Sequence, residues 1–424
     1  MFPTGSYPYN SPYSVQVGSA VNTNIVGVSF FLENSVLYDL AGQAVSYTPN
    51  FVTDANIVTS PASPLVVDAH SVPLGLAGII SGPGGVLIGN GGSATLSGTN
   101  SYTGPTSISG GLLALVGPGS IATSSGVNVS AAGMFDISGT TGGAVITTLS
   151  GDDTGLVWLG AQTLTLSNAS TTFDGLIFGA GGLRISGGVE TLTGPQFYSG
   201  PTTVDGGMLL VNGSIATSNL TTVSSGGVLG GTGTVGTTAI GNGGTLMPGL
   251  PGTAGGTLTV AGNLTMVHGA TYLATVSPAA ASLTGITGTA QLDGTLKAFG
   301  TGGAFTSGAR YTVLTATGGL ANSFAGLTVA GSFGSMAPTL STDANDVFLT
   351  LTPGDLSSHL PAGASQNAIN LANAITSVNI GTPPPPSRTC STCRRRCCRR
   401  RWPSCPAKPR PADKRQPSTS PTIS

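Results

Sequence analysis

Cysteine is missing from residues 1–386 altogether. That excludes disulfide staples and thiolate chemistry across the body, whose stability has to come from packing and backbone pairing. Charge is scarce as well: only 7% of residues are Asp, Glu, Lys or Arg. Within residues 1–386 three bases, Arg184, Lys297 and Arg310, stand against 14 acids, a balance of −11. Surface helices ordinarily carry lysine and glutamate, so a chain whose polar residues are mainly Ser, Thr and Asn is not a helical protein. No apolar run approaches the roughly 20 residues of a membrane-spanning helix. Met1 is followed by Phe2, Pro3, Thr4 and Gly5, with neither a basic start nor an apolar segment, so no secretory signal is read, and an exported parent is expected to begin further upstream.

Glycine is what the chain has in abundance, 67 in 424 residues, and it recurs in order. Tyr102, Gly104, Pro105, Thr106, Gly110, Gly111 and Leu113 reappear as Tyr198, Gly200, Pro201, Thr202, Gly206, Gly207 and Leu209, and each copy is followed by Ser-Ile-Ala-Thr-Ser, at residues 120–124 and 214–218. Turn residues repeating between short alternating segments describe a coil that cannot bury its own apolar face and has to stack on neighbours. Strands are expected at 86–88, 94–96, 112–116, 127–129, 163–166 and 183–185, and the pattern is densest from Gly226 to Val267. Coils of roughly 20 residues spaced about 4.8 Å apart predict on the order of 14 coils and a rod near 65 Å over residues 76–352.

The expected organisation is therefore an all-β chain in four parts. Residues 1–75 form an irregular β segment, with an aromatic entry at Phe2, Tyr7, Tyr9 and Tyr13 and an apolar run at 26–32. Residues 76–352 form a single-stranded parallel β-helix, a solenoid. Residues 353–386 hold a short helix over 365–378, with Ala368, Ile369, Ala372, Ile375 and Val378 at helical spacing, and a proline linker. Residues 387–424 carry eleven bases with Asp413, a balance of +10 once Arg388 is included, and all five cysteines, Cys390, Cys393, Cys397, Cys398 and Cys405. Zinc ligation by these cysteines, or nucleic-acid binding by the arginine runs 394–396 and 399–401, lacks a histidine or a second spaced Cys pair, and prolines at 403, 406, 409 and 411 oppose a packed module. A disordered basic C-terminal tail is expected instead, with no nucleic-acid partner.

Residues 84–133 and 181–227, through their Tyr-x-Gly-Pro-Thr and Gly-Gly-x-Leu elements, resemble the autotransporter-associated β-strand repeat of bacterial type V secreted passengers. Gly243-Gly244-Thr245-Leu246-Met247-Pro248-Gly249, residues 256–260 and residues 262–265 resemble the last passenger coils before an autotransporter barrel, and 311–314, 324–327 and 343–351 continue in the family's order. The resemblance implies a right-handed parallel β-helix, delivered through an outer-membrane β-barrel to the cell surface as a structural or adhesin-like rod facing a host or cell-surface ligand. It also implies a barrel after the proline linker, and no alternating strands with aromatic girdles follow Pro386. With one choice among degenerate codons, residues 404–411 read in a displaced frame as Leu-Ser-Gly-Glu-Ala-Ala-Thr, the kind of segment that opens the family's barrel. Residues from about Pro386 onward are thus expected to be a frameshifted readout of a former linker and barrel, testable by sequencing the coding DNA.

No catalytic, cofactor-binding or metal-binding residue is assigned. His70, His268 and His359 lie far apart, and Asp68 beside His70 lacks a third partner. Asp136, Asp152 and Asp153 lack the repeated aspartates of calcium-binding solenoids and read as solvated. Gly89-Asn90-Gly91-Gly92 and residues 241–244 are corners, since no Walker lysine follows. Gly151-Asp152-Asp153-Thr154 has no nucleophilic serine, and three bases leave little for acid–base chemistry. A non-enzymatic passenger fragment is expected; a carbohydrate-active β-helix enzyme and a non-functional product are the alternatives.

Overall fold

Segments that alternate apolar and polar residues take extended backbone with one face sealed and the other wet, and glycines between them let the chain turn after a few residues. A computed structural model describes residues 37–39, 44–46, 51–68, 73–355, 360, 361 and 363–379. The chain divides into two compact units, Met1–His359 and Leu360–Ser424. The first unit is a β-solenoid of stacked parallel strands. Thirteen strands, from Leu65–Val67 to Gly326–Ser332, stack in parallel into one continuous face. A second face of eight strands runs from Phe51–Thr53 to Phe197–Tyr198, and a third, also of eight, from Ala144–Ile146 to Ala290–Leu292. Where the second face ends, a bridge between Pro195 and Ser214 hands it on to a seven-stranded sheet that begins at Ser214–Ile215. A middle turn contributes one strand to each face in sequence, as in Val127–Ser130, Met134–Thr140 and Ala144–Ile146.

The expected strands are found at Val86–Gly89, Ser93–Leu96, Leu112–Gly117, Val127–Ser130, Leu164–Leu166 and Leu183–Ile185. Their register puts like beside like: Leu113, Phe135, Val157 and Ile177 form one inward column, all fully buried. Each such side chain removes apolar surface worth about 1.5–3 kcal/mol from water. A turn cannot seal that column alone, so the gain exists only through its neighbours.

Three expectations need correction. Parallel stacking starts before residue 76, because Phe51–Thr53 already pairs with Leu74–Leu76. The number of turns is somewhat lower than the expected 14, because twelve of the thirteen strands of the long face fall within residues 76–352. Contacts between adjacent turns range from 18 residues, Thr106 to Ser124, to 24, Ile57 to Ser81, early on, but span 26, 27 and 31 near Asn263, Val260 and Ile286. Long corners consume the extra chain, and thirteen strands at about 4.8 Å give a stack on the order of 60 Å. Finally, the end of the solenoid is antiparallel: Asp346–Pro353 pairs in that sense with both Arg310–Ala316 and Met336–Thr342. Asp343 forces the reversal, its Oδ1 accepting the N–H groups of Asn345 (3.0 Å) and Asp346 (2.8 Å), an Asx turn that closes a hairpin. The Arg310 guanidinium lies 3.4 Å over the Phe348 ring within this end piece.

In the N-terminal segment Leu37–Asp39 pairs antiparallel with Ala44–Ser46; the aromatic entry and residues 26–32 lie outside the described residues. The second unit contributes helix α1, Gln366–Asn379, close to the expected 365–378. Ser365 caps it, its Oγ accepting the Ala368 N–H at 3.2 Å. The proline linker and the basic tail lie outside the described residues. No described helix is long and apolar enough to cross a membrane.

Close stacking sets a strict limit at Gly104, where an added Cβ would sit 2.4 Å from the backbone of Gly84 one turn below. Gly104→Ala should therefore cost about 1–3 kcal/mol by overpacking. Phe135→Ala, which opens a hole in the column, should cost about 3–5 kcal/mol. Both are read by thermal and urea unfolding; an unchanged transition for Gly104→Ala would contradict the spacing of the turns.

Candidate functional site

The repeated motif turns inward. Tyr102 is fully buried, and its hydroxyl lies 2.6 Å from Thr106 Oγ1, which lies 2.9 Å from Ser124 Oγ, which donates to the Gly104 carbonyl at 3.0 Å. Tyr198, Thr202, Ser218 and the Gly200 carbonyl repeat the arrangement at 2.6, 2.9 and 3.0 Å. A hydroxyl has one proton, and the carbonyl at the end can only accept, so each chain runs one way, tyrosine to threonine to serine to carbonyl. Tyrosine must hold its proton for this. Burial raises the Tyr102 hydroxyl to about 12, against a smaller opposing effect of Thr106 and Ser124, and burial likewise raises Tyr198. The repeated spacing thus encodes a satisfied internal network linking one turn to the next.

Two buried amides beside these networks escaped the sequence reading. Asn100 and Gln196, two residues before each tyrosine, are buried. Asn100 accepts the Ile80 N–H at 2.8 Å and donates to the Gly98 and Ser120 carbonyls at 2.9 and 3.0 Å. Gln196 accepts from Ile177 at 2.7 Å and donates to Gly175 and Gly194, both at 3.0 Å. Each amide fills a corner where the backbone cannot pair with itself. Their shared offset from the tyrosine was the available signal; the change of side-chain length hid it.

Glu190 is the unexpected residue. It is fully buried on the thirteen-stranded face, Oε1 has no partner, and Oε2 is 3.2 Å from Thr171 Oγ1. Thr171 directs its single proton to the Leu149 carbonyl at 2.6 Å. The buried carboxyl thus has only a shared hydroxyl to offset a negative charge, which favours its protonated form. Burial accordingly pushes its pKa up from 4.5 to about 9, against a smaller lowering by Thr171. A strand pattern of alternate residues makes the inward position legible in Val189–Leu192, but a carboxylate there contradicts the rule that inward means apolar.

The other candidates stay apart. His268 is exposed in a turn, and His70 and His359 lie outside the described residues. Asp152 closes its own corner, accepting from Thr154 Oγ1 (2.6 Å), Thr154 N (3.0 Å) and Ala131 N (3.1 Å), which holds its carboxyl below the usual range. Asp136 sits on the second face and accepts the Ser138 N–H at 2.8 Å. Among the described residues no three His, Cys, Asp or Glu side chains gather in a metal-binding group. Asn90 and Gly91 turn a corner with φ of 50° and 83°, a left-handed pair suited to Asn and Gly. Arg184 pairs with Asp205 at 2.6 Å on the third face. Two shallow open grooves mark the thirteen-stranded face: about 530 Å³ beside Ser170, Thr172 and Val189, and about 370 Å³ beside Ser107, Asn128 and Ser150. Hydroxyls and small apolar side chains line them, with the Asn128 amide and without a charged group.

No protein-family model matches this chain, and no curated protein matches it.

Two outcomes are expected here. Thr202→Val, which strands the Tyr198 hydroxyl without an acceptor, should destabilise by about 1–3 kcal/mol and by more than Tyr198→Phe, at about 1 kcal/mol, in urea unfolding. Between pH 4.5 and about 9 the folded chain holds a proton on Glu190 that the unfolded chain has released. That contribution to stability is therefore full below 4.5 and is lost as pH rises through 9. Glu190→Gln should flatten this slope and raise the melting temperature at pH 8; a parallel pH profile would show that the carboxyl is not neutral.

Proposed function

We propose that the solenoid is the exported passenger portion of an autotransporter, a non-enzymatic surface rod with a structural or adhesin-like role. The observation that carries this reading is the order of motifs: the Tyr-x-Gly-Pro-Thr elements, the dense glycine coils after Gly226 and the closing strands through Leu351 follow the sequence of a type V passenger approaching its barrel. The physics is compatible with that use. A body with few charges and no cysteine folds by stacking alone, so it needs neither an oxidising enzyme nor a cofactor after crossing a membrane unfolded. Coils next to the barrel emerge first, and the antiparallel end at residues 310–353 gives them a closed platform on which upstream turns assemble one by one. An outer-membrane barrel is the expected partner of the intact parent, and a host or cell-surface molecule the expected ligand.

The test is surface display. With a secretory leader in front and an autotransporter barrel behind, residues 51–379 should reach the outside of a Gram-negative cell and resist added protease. Removing residues 244–352 should leave the upstream turns exported but protease-sensitive. Full resistance after that deletion would eliminate assembly from the barrel-proximal end, and failure of the complete segment to appear outside would eliminate the passenger assignment.

A further inference from the structure

Outward positions on this rod are mostly Ser, Thr, Asn or Gly, and the second face breaks that rule over four consecutive turns. Pairing in register places Asp136, Trp158, Phe178 and Phe197 in one outward column. Leu112, Met134, Leu156 and Leu176 form the outward column beside it, each half-buried. Trp158 and Phe197 are 38% and 58% exposed, and Phe178 lies between them with its ring centroid 4.6 Å from that of Trp158, edge to face at 73°. On the other side the chain turns through Gly160 and Gly179, with φ of 58° and 126°. Exposing large aromatic rings on successive turns costs solvation that the fold does not require, since these positions point away from the core.

Three features choose the ligand. The only charge in either column is the Asp136 carboxylate, and no base lies on these strands, so nothing here holds a phosphate, sulfate or carboxylate group. Two columns about 7 Å apart across four turns cover a few hundred Å² at most, well short of the roughly 800 Å² per partner of a stable protein interface. The rings recur once per turn, about 4.8 Å, a spacing comparable to one unit of an extended glycan, and the flat C–H face of a pyranose is the surface an aromatic ring covers best while hydroxyl edges stay in water. Asp136 spends Oδ1 on the Ser138 N–H, leaving its second oxygen to accept sugar hydroxyls at the end of the column.

We propose that Trp158, Phe178 and Phe197, with Asp136 at one end, form a binding strip for a neutral polysaccharide lying along the rod. The assignment rests on the reading of the rod as a binding scaffold but not on its export, because it is tested on the purified chain. Native gels of the full chain cast with glucomannan, xylan or hydroxyethylcellulose should show retarded migration with at least one of them. Trp158→Ala and Phe197→Ala should each weaken retardation at least fivefold, and Trp158→Tyr should keep most of it, all three melting within a few degrees of the parent. Absence of retardation in every neutral polysaccharide, or retardation unchanged in both alanine variants, overturns the proposal. So does a concentration-dependent dimer in sedimentation, or binding to phosphatidylcholine vesicles, that the Trp158→Ala variant loses while no glycan binding is seen. Display of the rod on cells without glycan retardation would remove this strip alone; retardation without display would remove the export reading alone.

Discussion

Each turn of this rod is incomplete without the next. Its apolar side chains point to a shared axis, and its backbone N–H and C=O groups point up and down the stack, so both burial and hydrogen bonding are satisfied between turns. The in-register columns follow from that single requirement. So does the glycine content: Gly104 has to let the backbone of Gly84 approach closely, and Asn90 with Gly91 has to turn the chain through left-handed backbone. Disulfides and ion pairs are dispensable where every turn is clamped from both sides, which is consistent with a body that has no cysteine and few charges.

The same clamp explains where polar groups go. An inward polar side chain is tolerable only if another turn completes its hydrogen bonds, and the Tyr-Thr-Ser chains at Tyr102 and Tyr198 do so, as do the amides of Asn100 and Gln196. Glu190 has no such full complement: its Oε2 shares the Thr171 hydroxyl with the Leu149 carbonyl, Oε1 has no partner, and burial favours the neutral acid. Chemistry that needs ionised groups is thereby kept off the interior. The outer strand faces carry few charged side chains.

Much of this was legible in the chain. The duplicated motif and alternating runs gave the solenoid, its strand positions to within a residue or two, and the short helix. The coil count was not, because corner lengths carry no periodic signal: the turns near Val260 and Ile286 lengthen without altering the strands themselves. Nor was the antiparallel end, since Asp346–Pro353 reads as one more alternating strand until its partner is known. Glu190 and the aromatic column were missed for a common reason, that a strand's two faces look alike until the axis is located.

Sequence by itself determined the periodicity, the scarcity of charge and the identity of the repeated hydroxyl residues, because side-chain alternation and glycine placement are local properties. Tertiary structure alone decided which residues twenty or thirty positions apart become neighbours. That choice sets Trp158 beside Phe178 and Phe178 beside Phe197, brings Ser124 to Thr106, and leaves Glu190 facing Thr171. Register between turns is set by the fit of many columns at once, and no single turn contains the information to fix it.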